Sequence, residues 1–257
     1  MNPNDALKFA MQAGEIMLQS GAETFRVEDT IKHILINCDF NISESFVTTT
    51  GIFASITDEV SGNITMLKRV KSRTNNFEKI VMVNDVSRRF ADGKITVEQG
   101  IAELSGLKDR PPYPVLVKTL ASAFSTFAFT YIFGGGIGDC ANAFFAGLIL
   151  QLFMIQLEKM KVVNVLSVII GSAVVTFISL TLLNFNIGSN LDCIIIGSIM
   201  QLLPGVAFTN AIRDILEGDY LSGTSRIMDA IIIAIAIAVG VGTVMKLWFT
   251  FFGGALI

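Results

Sequence analysis

The residues best suited to chemistry lie in one charged segment between two apolar ones, LLPGVAFTNAIRDILEGDYLSGTSR, residues 202–226. An arginine can hold a carboxylate through two parallel N–H bonds, and an aspartate near a membrane can carry a proton. The same charges can instead pair with each other, Arg213 with Asp214 and Asp219 with Arg226, and lock the segment. The spacing leaves both alternatives open. The candidate substrate-binding or coupling residues are Pro204, Gly205, Asn210, Arg213, Asp214, Asp219 and Arg226.

Pro204 and Gly205 predict a break in an apolar helix. Proline lacks the backbone donor and clashes with the preceding turn. Carbonyls freed at membrane depth are tolerated only inside protein or beside a wet cavity, and many transporters build their sites at such breaks. A packing kink followed by a plain loop is an equally good interpretation. Asn210 and Arg213, three residues apart, are predicted on one face of a helix that continues past the proline.

The composition of the chain indicates that one part lies in water and the other in lipid. Of its 257 residues, 52% are hydrophobic, and the mean hydropathy is +0.62, which is too apolar for an ordinary soluble domain. Residues 1–114 nevertheless hold 13 of the 19 Lys and Arg and 15 of the 22 Asp and Glu. The change near Arg110–Pro114 therefore predicts a cytoplasmic domain at 1–112 and a transmembrane domain at 113–257.

Five apolar segments in the second part predict membrane helices, since about 20 residues cross the hydrocarbon core. Basic residues lie at alternate connections, as in Lys159 and Lys161, and basic residues favour the cytoplasm. This predicts a multi-pass protein of the cell inner membrane with its N-terminus inside and its C-terminus outside. The predicted spans are Val115–Phe133, Ile137–Leu157, Val162–Leu183, Asp192–Phe208 (broken at the proline) and Ile227–Phe249, leaving Arg213–Arg226 as a cytoplasmic loop.

The N-terminal residues predict an α+β domain. Helical periodicity runs to Ser20-Gly21 and resumes from Phe25 to Leu35, and three segments with β-branched and aromatic alternation follow within residues 43–70. A turn is predicted at Ser61–Asn63. Residues 75–94 return to helical spacing, and Thr96 with Gln99 forms a capping box for a last short helix.

Other functions find little support in the sequence. His33 is the only histidine and no G-x-S-x-G motif is present, so we expect no enzyme. Three cysteines without C-x-x-C spacing predict burial, with no metal site and no cofactor. A net charge of −3 and a pI near 5.2 argue against nucleic acid. FGGGIGDC predicts a tight extracytoplasmic turn, and Asp139 at a span end is expected to be solvated.

Two blocks carry a resemblance to a known family: AGEIMLQSGAETFRVEDTI (13–31) and LPGVAFTNAIRDILEGDYLSGTSR (203–226). They resemble the N-terminal domain of the threonine/serine exporter family, and Arg73 with the following Asn75, Asn76 and Phe77 fits the segment between them. Family members are fused to five further membrane helices or split into two proteins. Because this chain stops at Ile257 after five spans, the resemblance implies the larger subunit of a split exporter, as in the enterobacterial system implicated in succinate export.

The resemblance implies proton-coupled efflux of small carboxylate metabolites, either succinate-like dicarboxylates or threonine and serine. It also implies a lipid bilayer, a small multi-helix membrane partner and a possible homo-oligomer as partners. The alternative is a metabolite-sensing or gating subunit with no transport path of its own, with contacts at Glu23, Arg26 and Glu28.

Overall fold

The computed structural model describes residues 2–38, 40, 42–58, 62–71, 73–108 and 113–252. Its contacts divide the chain into two compact units. The first unit comprises described residues within 1–111 and 205–229, and the second comprises those within 112–204 and 230–257. The predicted boundary at 112 and parts of the predicted turn at Ser61–Asn63 lie outside the described residues, and the division into 1–112 and 113–257 stays a prediction.

The N-terminal elements of the first unit begin and end where local signals place them. Asn2 caps α1, and Ser20 ends it. The capping box is present in both directions, because the Thr96 amide donates to Gln99 at 2.9 Å and the Gln99 amide donates to the Thr96 hydroxyl at 3.3 Å. The elements are α1 Pro3–Gln19, α2 Thr24–Ile36, β1 Ile42–Thr48, β2 Gly51–Asp58, β3 Gly62–Arg69, α3 Phe77–Ala91 and α4 Val97–Lys108.

The three strands form one antiparallel sheet in the order β1-β2-β3. Its inner face carries apolar side chains that alternate along β2, such as Ile52 and Ile56. These pack with the buried faces of the four N-terminal helices, including Phe9 and Leu104, in one core. The predicted α+β character of this part is therefore confirmed.

The second unit is helical. Its elements are α5 Val115–Ile132, α6 Ile137–Lys159, α7 Asn164–Asn184, α8 Leu191–Ile199 and a 3₁₀ turn, Met200–Leu202, together with the rest of α10 (Tyr220–Phe252), whose first residues lie in the first unit. Among the described residues, four helices are long and apolar enough to span a membrane: α5, α6, α7 and α10. A fifth span results if Leu191–Leu202 and α9 (Gly205–Leu216) are counted together.

The chain is interrupted where the proline predicted it, between Leu202 and Gly205. The predicted loop at Arg213–Arg226 is wrong in extent. Arg213 lies within α9 and Arg226 within α10, so only 217–219 connect them. The helix continues because nothing in 206–216 breaks it, and charged residues at a helix end do not by themselves form a loop.

Asp139 is a second correction. It was expected to be solvated, yet it is only 3% exposed. One carboxylate oxygen accepts the Gly136 amide at 2.8 Å, and the other accepts the amides of Ser189 and Asn190 at 2.6 and 2.9 Å. This carboxylate is buried because three backbone donors replace water around it. The predicted tight turn is confirmed at Gly134, whose φ is +91°.

The predicted burial of the cysteines is confirmed for two of the three. Cys38 and Cys140 are buried, as expected, and Cys193 is half-buried. His33 lies 3.2 Å from the Ser87 hydroxyl, on a helix face in the first unit.

Candidate functional site

The turn between α1 and α2 is the centre of the site, and the sequence dictates its shape. Gly21 has φ +87°, a region that a side chain rarely adopts. A Cβ on Gly21 would also lie 2.9 Å from the Thr74 carbonyl oxygen. Thr74 and Asn76 donate their amides to the carbonyls of Gln19 and Ser20, at 2.8 and 3.0 Å. The turn therefore presents its remaining backbone groups in a fixed direction.

Two side chains of α9 and α10 bond the carbonyls of this turn. The Asn210 amide nitrogen donates to the Gly21 carbonyl at 2.8 Å, and the Arg226 guanidinium donates to the Ala22 carbonyl at 2.8 Å. Both side chains are buried, at 6% and 5% exposure. Buried amide and guanidinium groups require such acceptors, so the turn and the two helices are mutually dependent.

Asp214 and Arg226 form a buried ion pair. Arg226 Nε lies 2.9 Å from Asp214 Oδ2, although the two atoms are not aligned as a hydrogen bond. Asp214 has no exposed surface, and its other oxygen accepts the Thr24 amide at 3.0 Å. A buried carboxylate is expensive without a countercharge, which Arg226 supplies here.

Thr24 begins α2 and bonds both aspartates. Its amide binds Asp214, and its hydroxyl donates to Asp219 Oδ2 at 3.0 Å. A carboxylate is favourable at a helix N-terminus, where backbone amides have no intrahelical acceptors. Thr24 therefore connects α2 both to α9 and to the 217–219 connection.

Glu23, Arg26 and Arg213 form a second group of charges beside the turn. Arg213 donates to Glu23 Oε1 at 2.6 Å, and Arg26 lies 3.5 Å from the other oxygen of Glu23. Burial acts to raise the pKa of Glu23, but its own backbone amide and the bond from Arg213 outweigh burial, so the pKa is lowered. Glu23 is therefore an anion at neutral pH.

Glu28 lies on α2 and has the opposite electrostatic environment. Its carboxylate accepts the Val47 amide at 2.6 Å. Burial raises the pKa of Glu28, the Val47 bond only partly offsets this, and the charges of Asp219 and Asp29 raise it further. Glu28 also borders an open groove of about 490 Å³ between α2 and the outer face of the sheet, together with Asp29, Lys32, Glu44 and Phe46.

Close packing holds α9 against the start of α10. A Cβ on Gly223 would lie 2.8 Å from the Ala211 carbonyl oxygen and would overlap Ile215. Only glycine allows this approach. The spacing of the aspartates and arginines on the two helices is fixed by this contact.

We call the following residues the charged cluster: Glu23, Thr24, Asn210, Arg213, Asp214, Asp219 and Arg226. The sequence predicted most of them, but it offered other partners. The pairs are Asp214 with Arg226 and Arg213 with Glu23, in place of Arg213 with Asp214 and Asp219 with Arg226. Helical spacing identifies neighbours on one element only, and these pairs join different elements.

Pro204 and Gly205, which were also predicted, are not part of the charged cluster. Pro204 is half-buried at the break, and a Cβ on Gly205 would meet nothing within 4 Å. Thr24 was not among the predicted site residues. Its position, at the start of an amphipathic helix and beside Glu23, is the signal that could have identified it.

The arrangement joins the α1–α2 turn to α9 and α10 through ion pairs and hydrogen bonds. The carboxylates and guanidinium groups of the charged cluster bond the protein itself, and the side chain of Arg213 is the most open, at 57% exposure. Such a cluster can bind an anion at Arg213 or exchange a proton at an aspartate when its internal bonds are released.

Comparison with known proteins identifies one family. The model of the family described as "Putative threonine/serine exporter" matches residues 8–248. A "Probable threonine/serine exporter" of Mycobacterium tuberculosis is 21% identical over 94% of this chain and 46% of its own length. An uncharacterized protein of Schizosaccharomyces pombe is 25% identical over 67% of this chain and 22% of its own length. The chain thus spans less than half of each relative, and no solved structure matches it.

Proposed function

Because the chain belongs to the threonine/serine exporter family, we propose that it is a subunit of a secondary exporter for small carboxylate metabolites. It is a multi-pass membrane protein. Candidate substrates are threonine, serine and succinate-like dicarboxylates, and the proton gradient is the proposed driving force. The described residues 2–108 face the cytoplasm in this proposal, and a small multi-helix membrane protein supplies the remaining helices.

The observation that carries the proposal is the attachment of the α1–α2 turn to α9 and α10. These helices follow the break at Pro204, and α10 continues into the second unit as one helix of 33 residues. A change in the charged cluster can therefore be transmitted along a membrane helix. In known switching proteins a packed helix moves as a rigid element, so a motion at one end of the helix also displaces its other end.

The contacts support different roles for the two arginines in this proposal. Arg226 is committed to Asp214 and the Ala22 carbonyl, so it acts as the internal countercharge. Arg213 has one carboxylate partner and an exposed side chain, so we propose that it attracts the substrate carboxylate. Asp214 and Asp219 are the alternatives for carrying the coupled proton, since both are carboxylates that Thr24 bonds at the start of α2.

The experiment is efflux from cells preloaded with labelled threonine, serine or succinate. The cells express the chain alone or with a small split-family partner, and carry wild type, Arg213→Gln or Asp214→Asn. We expect efflux of at least one substrate, and at least a tenfold loss in both variants if a charge-assisted bond of about 1.5–3 kcal/mol is removed.

Arg73→Gln is the matched control, because Arg73 is also partly exposed and pairs with one carboxylate, Asp229, at 3.1 Å. Efflux should stay near the wild-type rate in this variant. If neither the chain alone nor the chain with its partner exports any substrate, the exporter proposal is rejected. Equal rates in all three variants would show that the charged cluster has only a structural role.

One observation favours sensing as a second candidate. The groove beside Glu28 has charged residues of both signs and two partly exposed aromatic rings, Phe46 and Phe53. Titration of the purified chain with threonine, serine and succinate, comparing wild type with Lys32→Gln, would detect a metabolite in this groove. Binding that Lys32→Gln abolishes while efflux persists would support a sensor, and binding unaffected by Lys32→Gln would count against it.

A further inference from the structure

The helices of the second unit contain a separate set of buried polar residues. Ser122, Thr126 and Thr130 lie four residues apart on one face of α5. The faces of α6, α7 and α8 that pack nearby add more of them. These buried side chains are Asn142, Ser172, Thr176, Ser179 and Ser198.

Most of these groups have partners within the protein. The Thr126 hydroxyl lies 2.8 Å from the Ala143 carbonyl, and the Thr176 hydroxyl donates to the Ser172 carbonyl at 2.7 Å. Such bonds are the usual way in which a membrane helix accommodates a hydroxyl. The cost of burying these side chains is largely offset.

Four buried atoms of the second unit lack a hydrogen-bond partner among the described residues. They are Asn142 Oδ1, Ser179 Oγ, Ser198 Oγ and Gln201 Nε2. We call these four residues the polar array. The other two such atoms, Asp214 Oδ2 and Arg226 Nε, face each other as an ion pair and so have a countercharge. An unpaired polar atom in a low-dielectric interior costs about 1–3 kcal/mol, so four in one helical unit call for an explanation.

Contacts join the members of the polar array in two pairs, which lie on helices that pack against one another, α6, α7 and α8 with the 3₁₀ turn that follows it. The Asn142 amide donates to the Ser179 carbonyl at 3.1 Å, which places these two residues together. Gln201 bonds Ser122, and Ser198 precedes Gln201 by one helical turn. Thr126, one turn from Ser122, bonds the carbonyl of the residue after Asn142.

The polar array also adjoins the break in the chain. Gln201 lies in the 3₁₀ turn that ends two residues before Pro204. Transporters commonly form their solute sites where a membrane helix is discontinuous, and irregular backbone is tolerated there because it lines the site. Asn142, Ser179 and Ser198 have no exposed surface, so a solute reaches them only when the neighbouring helices part.

The chemistry of the polar array is neutral. The sequence contains no lysine or arginine in 119–158 or in 162–212. Asn142 Oδ1 is an acceptor, Gln201 Nε2 is a donor, and the two hydroxyls can do either. Asp139, one turn before Asn142, adds a negative charge. A dianion would have no countercharge here, whereas a zwitterion brings its own donor and acceptor.

We infer that the polar array, Asn142, Ser179, Ser198 and Gln201, binds a small net-neutral solute with an ammonium donor and a carboxylate acceptor, such as an amino-acid zwitterion, and not a dicarboxylate. This inference rests on the proposed export function, and it adds a site and a charge class that the charged cluster does not determine.

The test measures binding of labelled L-threonine, L-serine and succinate to the purified full chain in detergent, alongside its thermal unfolding. The variants are Ser179→Ala and Ser198→Ala. The matched control is Ser172→Ala, a fully buried serine on the same helix as Ser179 whose hydroxyl already donates to the Ile169 carbonyl at 3.0 Å.

We expect wild type to bind an amino acid and not succinate. Each array variant should weaken amino-acid binding about tenfold, the loss of one hydrogen bond, while Ser172→Ala binds normally. The unfolding temperature should stay unchanged or rise in the array variants, because each removes an unpaired buried hydroxyl.

Several results would overturn the inference: no binding of either amino acid to wild type, equal binding in the array variants, stronger binding of succinate, or a clear fall in the unfolding temperature of Ser179→Ala and Ser198→Ala. If binding follows the expected pattern but the chain moves no solute, the proposed export function fails and the polar array stands as a binding site.

Discussion

The charged cluster and the polar array handle buried polarity in opposite ways. In the charged cluster each carboxylate faces a guanidinium, a hydroxyl or a backbone amide of the same unit, as Asp214 faces Arg226 and Thr24. In the polar array, four neutral atoms have no partner among the described residues. Saturated polar groups fix a structure, and unsaturated ones favour a bound group that completes them.

We propose positioning, gating and the first attraction of the carboxylate for the charged cluster, and binding of the solute for the polar array. The bonds of the charged cluster cost free energy to release, so in the proposed mechanism they hold α9 and α10 in place until they exchange. The residues of the polar array are uncharged and, apart from Gln201, fully buried, so in this proposal a small solute gains hydrogen bonds there that water would otherwise supply. Changes in the two regions should therefore alter different properties of the protein.

The largest expected effect is on the charged cluster. Arg226→Met leaves Asp214 buried without its countercharge and should lower the free energy of unfolding by about 3–5 kcal/mol. Adding Asp214→Asn should recover most of the loss, since Asn retains an acceptor for the Thr24 amide. Chemical unfolding of the purified chain in detergent measures both.

Arg73→Met, which removes an exposed partner of Asp229, is the control and should cost less than about 1 kcal/mol. A loss of equal size in Arg73→Met and Arg226→Met would show that burial of the Asp214–Arg226 pair is unimportant.

A smaller effect is expected at the contact between α9 and α10. Gly223→Ala places a methyl group 2.8 Å from the Ala211 carbonyl and against Ile215, and should cost about 1–3 kcal/mol. Gly205→Ala is the control, because its Cβ meets nothing within 4 Å. Thermal unfolding compares them, and equal unfolding temperatures would contradict the close approach.

The smallest effect is a pair of opposite pH dependences, each about 1 kcal/mol or less. The pKa of Glu23 is lowered, so its charge stabilises the fold above the unfolded pKa and that stability is lost as pH falls through the folded pKa. The pKa of Glu28 is raised, so its charge destabilises the fold at neutral pH and the penalty disappears in acid.

Glu23→Gln should therefore destabilise at pH 7 and Glu28→Gln should stabilise. The Glu28 difference should close as the pH falls from the raised folded pKa to the ordinary carboxyl pKa, and the Glu23 difference should close only below that ordinary value. Unfolding measured from pH 7 to about pH 3, below the ordinary carboxyl pKa, provides the comparison. Differences of the same sign would contradict the distinct environments of the two glutamates.

Local patterns predicted the elements well, and they did so where one element decides the outcome. The capping box at Thr96 and Gln99, the turn at Gly21 and the break at Pro204 all depend on residues within a few positions. Pairings between distant residues were not predicted. Asp214 meets Thr24 across 190 positions, and spacing contains no information about which carboxylate a given arginine reaches.

The same limit explains Asp139 and the polar array. Asp139 was expected in water, and only the fold shows the amides of Ser189 and Asn190 that surround it. Ser179 and Ser198 resemble any serine in an apolar helix, because their lack of a partner is a property of packing. The roles of the candidate site residues stay predictions.

The most direct test of the division between the two regions is the concentration dependence of efflux for wild type, Thr24→Val and Ser179→Ala. Thr24→Val removes the hydroxyl bond to Asp219 with little change of shape. We predict a lower maximal rate with an unchanged half-saturating concentration for Thr24→Val, and an approximately tenfold higher half-saturating concentration for Ser179→Ala. A change of the same kinetic parameter in both variants would contradict the account.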